Sequence, residues 1–147
     1  EILIGLVGSE MCIRDRKMTN YEETLRKMLI EALQEYGEDY GYVITDKSVK
    51  KLMDAIAFED FHVEDCTPKL LEEALMSLGK VLDQSDDESE YVAAIGAGVA
   101  NMNAAFVAIV LAEDTIYIMA AAREGLIKQG TAKKSIERIK MALANSV

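Results

Sequence analysis

The residues with the greatest chemical reach are His62, Glu64 and Cys66, the first being the only histidine and the last one of two cysteines in the chain. In an extended segment alternate side chains project to the same side, so all three would share a face. A histidine beside a cysteine can generate a thiolate nucleophile or supply two ligands to a metal ion. The acidic surroundings, Phe58-Glu-Asp-Phe-His-Val-Glu-Asp65, oppose this chemistry. Nearby carboxylates raise a thiol pKa, and no third ligand type converges in sequence. The simpler arrangement leaves His62 in solvent while Phe58, Phe61 and Cys66 turn inward.

Three further spacings approach known ligand sites without completing them. Gly125 and Gly130 have the separation of a phosphate-binding loop, but the lysine that should follow the second glycine is Thr131. Gly96-Ala97-Gly98 lacks the third glycine of a dinucleotide fingerprint. Asp83, Ser85 and Asp87 resemble the start of a calcium loop, yet its sixth position is Glu88 rather than glycine and its twelfth is Ala94. No cofactor or metal is expected from these patterns.

Charge is distributed unevenly along the chain. Residues 123–147 hold six basic groups (Arg123, Lys128, Lys133, Lys134, Arg138 and Lys140) and two acidic ones, a net of +4, whereas 17–122 hold eight basic and 21 acidic, a net of -13. Lys133, Lys134, Arg138 and Lys140 could form a basic interaction face on a C-terminal helix, or could lie against the acidic body of the same or a neighbouring subunit. The overall charge of -10 opposes whole-surface binding to nucleic acid or anionic lipid, because the mean field repels a polyanion.

The elements that would position these groups follow from periodicity. Asn20 with Glu23 makes a helix start, and Leu25, Met28, Leu29, Ala32, Leu33 and Tyr36 recur on one face up to Gly37. Residues 41–45 (GYVIT) are β-rich and could add a strand, and Asp46 opens a second helix with Val49, Leu52, Met53 and Ile56 inward. Residues 58–66 have no helical period and read as a loop or short extended piece. Thr67-Pro68 marks a capped third helix carrying Leu71, Ala74, Leu75, Leu78 and Leu82. The acidic run 83–90 solvates a connection and favours the start of another helix.

No charge occurs over 92–111, which is long enough for a membrane span. Asn101 and Asn103 mid-segment and the absence of basic flanks favour a buried helix over 89–103 instead, with the small residues Ala93, Gly96, Ala97, Ala100 and Ala104 admitting a close neighbour. Residues 105–111 and 115–121 are rich in β-branched and aromatic side chains and read as a hairpin; two further helices are the rival. Gly130 and Thr131 then introduce a last helix striped by Ala132, Ile136, Ile139 and Leu143. The expected fold is α+β, predominantly helical with a buried β-hairpin near 105–121; the alternative is an all-α helical bundle.

Residues 6–16 read LVGSEMCIRDR, which resembles the translation of a transposase-type sequencing-library adapter, each residue matching its codon. The resemblance implies that 1–16 is a non-native segment and that Met18 begins the native chain, with 17–147 forming a single globular domain. A secretory signal would need a basic start, a longer apolar core and a small-residue cleavage site, none of which is there. Without 1–16 the cysteine count falls to Cys66 alone, which excludes an internal disulfide and fits a reducing, cytoplasmic setting.

With 147 residues, half of them hydrophobic, and a single proline, the chain can bury a core without a disulfide or metal staple. Plentiful apolar surface without a convergent acid, base, nucleophile or ligand set points to a small acidic, non-enzymatic interaction or regulatory module. The uncharged segment, apolar on every side, is expected to drive self-association, so the expected partner is another copy or another protein. A nucleic-acid-associated protein using the basic C-terminal helix and an enzyme using His62 and Cys66 are the alternatives.

Overall fold

A computed structural model describes the backbone of residues 8–97, 103–122 and 130–146, and the side chains of 21–96, 104–122 and 130–145. Helix α1 (Gly8–Tyr36), a 3-10 turn (Gly37–Tyr40) and helix α2 (Asp46–Asp54) lead into strand β1 (Ala57–His62). Helix α3 (Pro68–Leu78) then connects to β2 (Gly79–Gln84), β3 (Glu90–Ala97), β4 (Asn103–Ala112) and β5 (Thr115–Ala122), and α4 (Thr131–Ser146) follows. The five strands form one antiparallel sheet in the order β1-β5-β4-β3-β2. The fold is therefore α+β, but with a full sheet where a single hairpin was expected.

Both faces of this sheet are covered. Val92, Phe106, Ala108, Val110, Tyr117, Met119 and Ala121 face a core shared with Leu25, Leu29 and Leu33 of α1 and Val49 and Met53 of α2. The intervening residues, among them Ala93, Ile95, Val107, Ile109, Ile116 and Ile118, face a second core with Leu71 and Leu75 of α3 and Ile136, Ile139 and Leu143 of α4. Successive strand residues point to opposite faces, so a strand buried on both sides is apolar at every position.

This explains the main correction. The segment expected to be a buried helix over 89–103 is β3 and the beginning of β4, with 98–102 outside the described residues. Lacking charge, it carries no alternation to betray a strand. The span alternative also falls: among the described residues no helix is long and apolar enough to cross a membrane. The 105–121 hairpin is present as β4 and β5, joined by Glu113 and Asp114, with Glu113 at φ 56°.

Helix boundaries follow their caps where a cap was visible. Thr67 accepts a hydrogen bond from Leu70 N at 3.1 Å with Pro68 at the first helical position, and Thr45 caps α2 by accepting from Ser48 N at 3.2 Å. Asn20, by contrast, starts nothing: α1 begins at Gly8 inside the adapter-like segment, and no glycine or proline between Ser9 and Tyr36 interrupts it. Residues 41–45 form no strand. Tyr42 there is buried against Phe106 and donates its hydroxyl to Ala104 O, and Ile44 packs on the same core, while Val43 is exposed. Leu82 lies in β2 rather than α3, because the chain turns extended at Gly79, where an added Cβ would stand 1.9 Å from Ala94 O. The acidic run 83–90 connects β2 to β3 as a hairpin turn and starts no helix.

Candidate functional site

Residues 58–66, read as a loop or short extended piece, contain most of β1. Ala57, Phe61 and Val63 pack on the α3/α4 core, whereas Phe58 packs on the α1/α2 core. By alternation His62 projects on the Phe58 side, where it is exposed. Past the strand the backbone turns through Asp65 at φ 58°, and Cys66 enters the α3/α4 core at 7% exposure. The turn ends the alternation that would have aligned His62, Glu64 and Cys66. The sheet lies between histidine and thiol.

The Cys66 environment also disfavours a thiolate. Burial pushes its pKa up, and the carboxylate of Asp114 on the β4–β5 turn adds to the rise. The acidic residues adjacent in sequence are not the cause; desolvation is the first one. Its Sγ lies 3.9 Å from Thr67 O.

The basic residues of α4 divide into two groups. Lys140 pairs with Glu59 of β1 and places its ammonium 5.2 Å from the centre of the Phe61 ring. Arg138 donates to Gly96 O of β3. Lys133 and Lys134 remain exposed near the helix start. Hence only two of the four residues of the candidate basic face stand clear of the sheet. The buried stripe Ala132, Ile136, Ile139 and Leu143 is as the spacing indicates, and Ser135 joins it by donating to Ala132 O at 2.6 Å.

The almost-calcium pattern resolves into turn chemistry. Ser85 and Ser89 hydroxyls both donate to Asp87 Oδ1 at 2.7 Å, and Glu90 N donates to Ser85 Oγ at 3.0 Å. These bonds hold the Asp87 carboxyl below its ordinary range. They close the β2–β3 turn, which needs Glu88 at φ 58°. Among the described residues no group of three or more His, Cys, Asp and Glu could hold a metal ion. Of the phosphate-loop spacing, 125–129 lie outside the described residues, while Gly130 at φ 63° leads into α4, which begins at Thr131.

One concavity was not legible in sequence. A groove of about 160 Å³ runs between α1 and the β2–β3 hairpin, floored by Met28, Ala32 and Val92 and edged by Glu31, Glu35, Asp83 and Glu90. Tyr36 closes one end, donating its hydroxyl to Leu82 O at 3.2 Å. Its pKa is raised by desolvation first, then by Glu35 and Asp83. The local signal was the like-charged pair Glu31 and Glu35, four apart on one helix face. Nothing local placed Asp83 and Glu90 opposite them.

The buried Tyr91 of β3 is the other polar feature. It is 1% exposed, with its hydroxyl in the α3/α4 core and no hydrogen-bond partner at bonding distance among the described residues. Desolvation, then Glu88 and Glu72, push its pKa up to about 12, against a weaker opposing effect of Gln84. No family model, curated protein or solved structure matches this chain.

Proposed function

We propose that the protein is a small acidic interaction or regulatory module of the cytoplasm that associates with another copy of itself or with another protein and performs no catalysis. The observation that carries this reading is the separation of His62 and Cys66. The only histidine is exposed on one side of the sheet, while Cys66 is enclosed on the other with its thiol held protonated. General base or metal chemistry needs such groups within hydrogen-bonding reach of one reacting atom. The cytoplasmic assignment rests on Cys66 being the lone cysteine beyond the adapter-like segment.

The expected source of self-association needs revision. The described part of the apolar run is covered by helices on both faces, with Ile95, Phe106, Val107, Ala108 and Ile109 at 0% exposure. No apolar remnant there is left to find a partner. Association must instead use the rim of the sheet or the outer helix surfaces. The test is the molar mass of the full chain in solution across the micromolar range. A mass above that of one chain, growing with concentration, is the expected result. A strictly monomeric mass at high micromolar concentration would overturn the self-association part of the reading.

A further inference from the structure

We propose that the β1 edge is the self-association surface, pairing antiparallel with β1 of a second copy so that Asp60 of each faces His62 of the other. The inference rests on the self-association reading above and specifies its surface. Among the described residues both β1 and β2 are terminal strands of the sheet, each with one neighbour. Such an edge offers unpaired N–H and C=O groups to another strand. The β2 edge is interrupted: its register shifts between Val81 and Asp83, and the carbonyl of the bulged Leu82 accepts the Tyr36 hydroxyl. A bulge bends the strand and ends regular pairing. The β1 ladder is unbroken from Ala57 to His62 and runs on to Val63, whose N–H donates to Asp114 O at 2.7 Å.

That last hydrogen bond sets which backbone groups face outward. In an antiparallel ladder the bonded pairs alternate, so Ala57, Glu59, Phe61 and Val63 bond inward to β5. Phe58, Asp60 and His62 therefore present their N–H and C=O groups to the open edge. A ladder between two copies must set even-numbered residues opposite even-numbered ones. Three registers then overlap at least five residues within 57–63, with paired numbers summing to 118, 120 or 122.

Two of the three make no opposite-charge pair. The sum of 118 sets Glu59, matched within its own chain by Lys140, against Glu59 of the second copy, sets Asp60 against Phe58 and leaves His62 outside the overlap. The sum of 120 sets Asp60 against Asp60. Like charges directly opposite destabilise a strand pair. The sum of 122 sets Asp60 opposite His62 twice, Phe61 opposite Phe61 on the two-fold axis, and Glu59 opposite Val63. Asp60 and His62 are both exposed and on the same sheet face, so the carboxylate can accept from the imidazole across the seam without either leaving a core. Glu59 is already matched by Lys140 within its own chain, so facing Val63 leaves no unpaired charge. The carboxylates that guard the edge against the other registers admit this one, and the two-fold arrangement closes at a dimer.

The experiment measures the dimer dissociation constant of the full chain by sedimentation velocity, with His62→Glu and the double exchange Asp60→His with His62→Asp. Placing Glu opposite Asp60 should weaken the dimer about tenfold by replacing two attractive cross-strand pairs with two repulsive ones. The double exchange keeps a His–Asp pair at both seams in this register and should restore the wild-type constant. Both positions are exposed, and an unchanged thermal midpoint shows that each variant is folded. A dimer indifferent to His62→Glu overturns the β1 surface while leaving the self-association reading intact. Weakening without rescue by the double exchange overturns the register. A monomeric wild-type chain overturns both.

Discussion

Buried hydroxyls differ in worth according to whether they find an acceptor, and two tyrosines make the contrast. Tyr36 ties α1 to the bulge of β2 by its bond to Leu82 O. Its change to Phe should cost about 1 kcal/mol, the usual net value of such a bond, measured by denaturant unfolding. Tyr91 has no such acceptor among the described residues, so Tyr91→Phe should be neutral or raise stability by up to about 1 kcal/mol, since an unsatisfied buried group carries a desolvation penalty. The same hydroxyl governs alkaline behaviour. Its folded pKa of about 12 lies above the unfolded value, so the unfolded chain loses that proton first. Stability is then complete below pH 10 and declines as pH rises towards 12, a decline that Tyr91→Phe should reduce in pH-dependent unfolding. Asp87 has the opposite sign. Its depressed folded pKa supplies stability above the ordinary carboxyl range that is lost as pH falls through the folded value. Residue types alone identified Asp87 and Ser85 as polar turn material, but not that one carboxylate would gather both hydroxyls.

At the level of elements, the two-sided burial of the sheet makes a direct claim about β4. Val107 faces the α3/α4 core and Ala108 the α1/α2 core, and both are fully buried. A sheet with one wet face would tolerate a charge at one of these positions. Here Val107→Lys and Ala108→Lys should each cost about 3–5 kcal/mol, the usual penalty for an uncompensated buried charge, and thermal unfolding of both would show it. The helix caps are a smaller, local counterpart: Thr67→Ala should remove about 1 kcal/mol through loss of the bond from Leu70 N. The cap at Thr67 acts within four residues and was readable in sequence with its proline, whereas Thr45 read as the end of a β-rich stretch and only the structure shows it capping α2. The 89–103 region was misread for the complementary reason. Strand and helix patterns differ only by which positions are polar, and a segment apolar throughout offers neither pattern.

For the whole molecule, Tyr21 is the first described side chain of α1 and stacks on Tyr117 of the core at 3.9 Å between ring centres, and Leu25 is the first that is fully buried. We propose, on the adapter resemblance, that 1–16 adds nothing to the fold even though α1 extends into it. A chain beginning at Met18 should keep its thermal midpoint within about one degree, a shift of a few tenths of a kcal/mol at this size. A large loss in calorimetry would show that the segment packs on the domain. The charge asymmetry of the chain is partly absorbed inside the molecule, where Lys140 meets Glu59 and Arg138 meets a β3 carbonyl. With only Lys133 and Lys134 of the four basic-face residues exposed, on an acidic chain, binding to duplex or single-stranded nucleic acid should be undetectable near physiological salt in a fluorescence titration. Affinity that falls linearly on a log–log salt plot, and disappears with Lys133→Glu and Lys134→Glu, would reverse that expectation.

Sequence by itself determined the features that depend on near neighbours: the α1 and α4 apolar stripes, the start of α3 at Thr67-Pro68 and the net charge. Each is set by spacing within a turn or by side-chain type, so it needs no knowledge of distant residues. Tertiary structure alone decided the rest. It turned 90–97 into strand by supplying a neighbour on both edges of β3 and a helix layer on both faces, and it brought Asp83 and Glu90 across from Glu31 and Glu35. It also set His62 and Cys66 on opposite sides of β1, because the left-handed turn at Asp65 breaks the two-residue repeat on which their alignment depended. Pairing partners and turn direction are properties of the whole chain, and no window of local sequence contains them.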